Sequence, residues 1–213
     1  MPLVLPKINQ VVLLIIIAEF ILLTAFGTLA PMMAIFVTEQ IRNGTVAVMG
    51  FAITIYWVVK SILQLFVARF IDRNHGEIDD FYFFIAGVFL NSILVSFYYF
   101  ATEVWHIYTL HFLIGVADSI LVPPFYAIFT RHIDKDHEGF EWSLFSSFSL
   151  GAGSALGGLL GGIIATISGT RIVFVIAGVL TFLSGVTLLF LRPYIRPRVP
   201  QETVRIPIEQ KKI

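Results

Sequence analysis

Four ionisable residues stand inside long apolar runs of this chain: Glu19, Lys60, His111 and Asp118. Such a side chain costs roughly 3 kcal/mol or more in a membrane helix, so it usually faces a partner or a cavity. Two carboxyls, an amine and an imidazole can each take up and release a proton. Burial disfavours the charged form of each group and pairing favours it, so a balanced site changes protonation as water access changes. That chemistry is a proton-coupled pathway, with Glu19, His111 and Asp118 as the coupling residues. The competing account is a set of static ion pairs that tie helices together, and for Lys60 a side chain snorkelling to the interface. Tyr56 and Trp57 lie deep enough to line a cavity beside Lys60, with Gln64 and Asn91 as further polar candidates.

The elements that must position these residues are six apolar runs, at 11–37, 46–70, 81–101, 104–129, 143–167 and 172–191. Each can cross a hydrocarbon core of about 30 Å as a helix, and the longest must tilt or kink. Helices are required because a lipid-exposed backbone must pair its amides within the segment, and the two-residue alternation of a barrel is absent. At a rise of about 1.5 Å per residue, Glu19 lies about 12 Å from the start of the first run and His111 about 10 Å from the start of the fourth. Lys60 and Asp118 lie about 21 Å along the second and fourth runs. All four therefore cluster around mid-membrane.

Composition agrees. Apolar residues make up 57% of the 213 and charged residues 13%, with a mean hydropathy of +0.88. Soluble domains carry about 25% charged residues. The expected fold class is all-α, a polytopic membrane protein of six transmembrane helices. The expected organisation is an N-terminal segment 1–10, a membrane domain 11–191 and a polar, proline-containing tail 192–213. Net charge is zero, so no nucleic-acid partner is expected. The absence of cysteine excludes disulfides and thiol chemistry.

Lysine and arginine set the expected orientation. With the N-terminus inside, one side carries Lys7, Arg69, Arg73, Arg131, Lys135, Arg192, Arg196, Arg198, Arg205, Lys211 and Lys212, while the other carries only Arg42 and Arg171. Both termini are thus expected in the cytoplasm of a cell-membrane protein. Asn43-Gly44-Thr45 has the form of a glycosylation sequon, but a plain Asn-Gly turn is the expected reading.

The fifth run carries glycines at 151, 153, 157, 158, 161 and 162. Gly153, Gly157 and Gly161 share one helix face, where small residues let backbones approach closely. This is either packing inside one bundle or a moving contact between two. Pro123-Pro124 should bend the fourth helix near its end. No phosphate-binding loop or nucleophile elbow is present, so no catalytic residue, enzyme activity or cofactor is expected. His132 and His137 stand among Asp134, Asp136 and Glu138, which read as a solvated charged loop with no metal.

Together these features resemble one half of a major facilitator superfamily transporter, over roughly residues 8–192. The family signature G-x-x-x-D-R-x-G-R-R corresponds to Ala68 through Glu77. Asp72 and Arg73 match, the first glycine is Ala68, the second is displaced to Gly76, and the final basic pair is missing. Gly153 to Gly162 follows G-x-x-x-G-P-x-x-G-G with Gly158 in the proline position, a motif commonest among exporters of the family. His111 precedes Gly115 at the spacing where the family has arginine. Glu19 stands twelve residues before Pro31 and resembles the acidic residue of the first helix in proton-coupled members.

The resemblance implies a proton gradient as driving force and a small-molecule substrate. It implies that Glu19 and His111 face each other across a cavity, and that Asp72, Arg73 and Arg131 form a gating loop. Family members normally have two six-helix halves, each with an inverted three-plus-three repeat. One half alone leaves its cavity wall open to lipid. The expected arrangement is therefore a homodimer with alternating access, in which the fifth helix, with Gly153, Gly157, Gly158, Gly161 and Gly162, meets the second helix of the other copy. A heterodimeric half and a non-transporting assembly subunit are the alternatives.

Overall fold

The computed structural model describes residues 8–73 and 76–195. Lys7 and the basic residues from Arg196 onward, which bear on the orientation and tail expectations, lie outside the described residues. Among the described residues, eight α-helices build six membrane-length spans. The first span is α1 (Gln10–Leu29) followed by α2 (Met32–Gln40). Asn9 starts it, its side chain accepting from the Val11 amide at 2.9 Å. Pro31 interrupts it, because proline has no N–H to give to the carbonyl four residues earlier. The second span is α3 (Val46–Arg73), the third α4 (Glu77–Phe97) with a short 3-10 turn at Tyr98–Phe100, and the fourth α5 (Val104–His132).

The fifth span is composite: α6 (Glu138–Leu144), a nine-residue π-helical stretch at Phe145–Gly153, and α7 (Ser154–Ser168). The sixth is α8 (Thr170–Leu189). Helix α5 runs through Pro123 and Pro124. Gly169 alone joins α7 to α8, with φ +85°, a backbone conformation that a side chain would strain. Asn43 has φ +58° and the Gly44 amide donates to the Ile41 carbonyl, so the Asn-Gly pair is a turn.

Most span ends lie within about three residues of the expectation, and two starts differ by more. Helix α4 takes in Asp80 and the acidic residues before it, and the fifth span begins at Glu138, not Ser143. Both stretches read as charged connectors in sequence. They are helical because acidic side chains suit a helix N-terminus.

The packing order explains which spans carry the site. The second span packs on the fourth, the fourth on the third, the third on the sixth, the sixth on the first and the first on the fifth. Of the most apolar stretch, 6% is buried in the second span and 17% in the fifth, against 44–61% in the other four. The second and fifth spans thus flank the bundle and expose Phe51, Ile62, Leu65, Phe66, Leu159 and Ile167. One core cluster fills the end where α1 starts and α8 finishes, around Val12, Phe84, Ile128 and Leu188. A second fills the opposite end, around Phe36, Tyr98, Ile107 and Phe174.

Candidate coupling site and cavity

Helices α3, α4 and α5 converge on Asp118. Gly115, one turn earlier on α5, allows this approach: a Cβ there would stand 2.9 Å from the Tyr56 carbonyl. With the backbones this close, the Tyr56 hydroxyl donates a short hydrogen bond to Asp118 Oδ2. Lys60 lies one turn beyond Tyr56. Its Nζ donates to the Tyr56 hydroxyl at 3.0 Å and lies 3.4 Å from Asp118 Oδ2. From α4, Asn91 Nδ2 donates to Asp118 Oδ1 at 2.7 Å. The ammonium also sits 5.0 Å from the Trp57 ring centre and 5.3 Å from that of Tyr56, within cation–π range. Lys60 is therefore paired inward and does not snorkel.

Glu19 is 6% exposed on α1 and has no hydrogen bond or ion pair among the described residues. Ser149 and Ser184 hold the fifth and sixth spans to α1 on either side, donating to the carbonyls of Ile16 and Ala18 at 2.8 Å each. Lys60 pairs with the Asp118 carboxylate, and the Glu19 carboxyl has no counter-ion among the described residues.

A cavity of about 340 Å³ opens beside Asp118. Its walls come from α1, α2, α3, the end of the third span and α5, with Tyr56, Trp57, Tyr98, His111 and Asp118 among apolar neighbours such as Phe26, Met33, Ile53 and Ile114. His111 Nδ1 lies 2.7 Å from the Tyr98 hydroxyl and 3.0 Å from the Ile107 carbonyl. As a donor Nδ1 serves both oxygens, and as an acceptor it can serve only Tyr98.

The structure brings together some of the sequence candidates and separates others. Tyr56, Lys60, Asn91 and Asp118 form one cluster, and Trp57 and His111 line the same cavity. Glu19 has no hydrogen bond or ion pair to His111 among the described residues, and His111 lies seven residues, about 10 Å, before Asp118 on α5. Gln64 and Asp72 line a separate cavity of about 430 Å³ with Pro123, Tyr126 and Arg131. Arg131 pairs with Asp80, which is fully buried, while Asp72 and Arg73 are exposed.

The glycine face also has a specific location. A Cβ on Gly157 would stand 2.8 Å from the Gly27 Cα, and one on Gly161 2.8 Å from the Thr28 Cα. A Cβ on Gly153 would meet the Phe20 carbonyl at 3.0 Å. These three glycines pack the fifth span onto α1 of the same chain, so they do not form the outward surface expected of an interface between copies. Gly158 and Gly162 point to open space.

Sequence reasoning missed Tyr98 and Asp80. Tyr98 is 1% exposed within an aromatic run, Phe97 to Phe100, that resembles an interfacial belt, and its contact with His111 marks it out. Asp80 sits among acidic neighbours, and nothing in the sequence distinguishes the one that turns inward.

Comparison with known proteins accords with this architecture. The chain is similar to the proton-coupled antiporter flippase LtaA of Staphylococcus saprophyticus, 27% identical over 136 residues, which cover 64% of this chain and 33% of that protein. It is also similar to the multidrug resistance protein MdtG of Citrobacter koseri, 27% identical over 177 residues, covering 83% of this chain and 43% of that protein. The chain thus spans well under half the length of these curated relatives. The fold matches the crystal structure of the POT family transporter PepTSo with a TM-score of 0.73 at 18% identity, over 92% of this chain and 40% of that one. The family model of the Major Facilitator Superfamily matches residues 15–211, nearly the whole chain, and the chain belongs to that superfamily.

Proposed function

We propose that this chain is a six-helix half of a proton-coupled secondary transporter that moves a small solute by alternating access. The observation that carries the reading is the cluster beside the cavity: Lys60 pairs with Asp118, which Tyr56 and Asn91 also bond, while Glu19 is buried on α1 with no counter-ion among the described residues. One proton completes the balance, and its arrival or loss changes the net charge of the cavity wall by one unit. In a low-dielectric site that change is large enough to bias a conformational equilibrium. Glu19 is the proton site, Asp118 links it to Lys60 and Tyr56, and His111 with Tyr98 senses what occupies the cavity. The aromatic and aliphatic lining favours an amphiphilic solute over a sugar. Two relatives of this chain are named as a proton-coupled antiporter and a multidrug resistance protein, which agrees with this reading.

The exposed second and fifth spans supply the surfaces on which a second half rocks. In the homodimeric form, two copies related by an axis along the membrane normal complete the cavity, with both termini in the cytoplasm. Asp72, Arg73 and Arg131 lie at the end of the bundle where the gate closes. The alternative form pairs this half with a different six-helix half, and the greater length of the relatives favours it. The mass of the protein in lipid nanodiscs separates the two: a dimer supports the symmetric transporter, and a monomer overturns it.

The coupling assignment is tested in proteoliposomes with a fluorescent amphiphilic cation as probe. Glu19→Gln should abolish accumulation driven by a pH gradient. Unchanged accumulation in that variant would remove Glu19 from the mechanism.

A further inference from the structure

The turn between α5 and the fifth span holds a second cluster, remote from the cavity. Asp134, His137 and Glu141 each present one potential ligand atom, and these atoms all lie within 4.8 Å of one another. Backbone hydrogen bonds set the spacing: the His137 amide donates to the Asp134 carbonyl and the Glu141 amide to the His137 carbonyl, both at 3.0 Å. His137 and Glu141 are therefore one helical turn apart on one face.

Glu141 gives the cluster its meaning. It is 1% exposed, and its Oε2 is buried with no hydrogen-bond partner. A buried carboxylate oxygen normally has a donor or a cation, since leaving it bare is costly. The neighbouring basic side chains are engaged elsewhere, Arg131 with Asp80 and His132 against Glu77 at 3.9 Å. Lys135 forms no ion pair with any of the three among the described residues. A solvated loop, as the sequence suggested, does not account for an inward-facing carboxylate.

We propose that Asp134, His137 and Glu141 bind one divalent transition cation of the Zn²⁺ or Mn²⁺ type. One imidazole nitrogen with two carboxylate oxygens is the mixed donor set these ions accept, whereas Ca²⁺ takes six to eight oxygens. Two carboxylates balance a double positive charge. The exposed His137 gives the ion its path from water, and the positions left open would hold water. A cation there joins the segment after α5 to the first turns of the fifth span. It thereby fixes the connection between a helix of the coupling site and a flanking helix.

The test uses the purified full-length chain, stripped with a chelator and titrated calorimetrically with ZnCl₂ or MnCl₂ alone. One equivalent should bind per chain. Asp134→Asn, His137→Ala and Glu141→Gln should each weaken binding by at least about tenfold, the lower bound for losing even an outer partner of a metal site. Glu138→Gln, at a neighbouring carboxylate outside the cluster, should bind as the parent does. Glu141 is buried and its variant can fail to fold, so the exposed His137→Ala carries the decision. The metal should raise the melting temperature of the parent and leave that of His137→Ala unchanged. Equal binding by the parent and His137→Ala, or no saturable binding by the parent, overturns the site.

Discussion

Lys60 Nζ lies 3.4 Å from Asp118 Oδ2, and both side chains are almost withdrawn from solvent. Asn91 and Tyr56 occupy further acceptor positions of the same carboxylate. Removing one partner of a buried pair leaves the other charge uncompensated, at a cost of about 3–5 kcal/mol. Asp118→Asn should therefore lower stability markedly in denaturant titrations in detergent. Lys60→Met on that background should recover part of the loss, because it removes the orphaned ammonium. Additive losses in the double variant would mean that the pair contributes nothing as a pair.

Glu19 separates a coupling role from a structural one. It has no hydrogen bond to lose among the described residues. Glu19→Gln keeps shape and removes only the titratable proton, so its unfolding transition should match that of the parent. Its transport should become insensitive to an imposed pH gradient in reconstituted vesicles. A large loss of stability would instead make Glu19 a packing residue.

Much of this arrangement was legible in the sequence. Six spans and four intramembrane ionisable residues stand out because charge in a long apolar run has few innocent explanations. The pairing of Lys60 with Asp118 was one of the open alternatives, since depth along a helix is readable but facing is not. The set of groups around Asp118 was not legible: its angular position depends on how α5 packs against α3 and α4, and the short spacing to Gly115 fixes only part of that. The glycine stripe showed that a backbone approaches closely without showing which one. Gly27 on α1 is the counterpart, a single glycine with no pattern around it. Glu141 was read within the charged connector before a helix that starts at Glu138, so its burial could not be anticipated.

The two faces of the fifth span should respond differently to bulk. Gly157 touches the Gly27 backbone, so Gly157→Val should cost about 1–3 kcal/mol, as overpacking typically does. Gly158 faces open space, and Gly158→Ala should stay within about 0.5 kcal/mol in the monomeric fold. Thermal unfolding of both variants in detergent checks this. A transport defect in Gly158→Ala with normal stability would locate the moving surface on its side of the helix.

Asp80 and Asp72, at the end of the bundle where α3 finishes and α4 starts, divide between architecture and motion. Asp80 is fully buried and pairs with Arg131, which joins the start of the third span to the end of the fourth. Asp72 is exposed at the end of α3, beside the cavity that Arg131 also lines. Asp80→Asn leaves the guanidinium facing a neutral amide within a buried contact, and it should destabilise the protein by about 3–5 kcal/mol. Asp72→Asn removes a solvated charge, for which a change within about 0.5 kcal/mol is normal. If Asp72 belongs to the gate, its variant should fold as the parent does while accumulation of the probe falls, whereas Asp80→Asn should lose fold and transport together. Denaturant unfolding and vesicle accumulation, measured on the same preparations, distinguish the roles. An Asp72→Asn protein with unchanged accumulation would leave this end of the bundle without a gating function for that carboxylate.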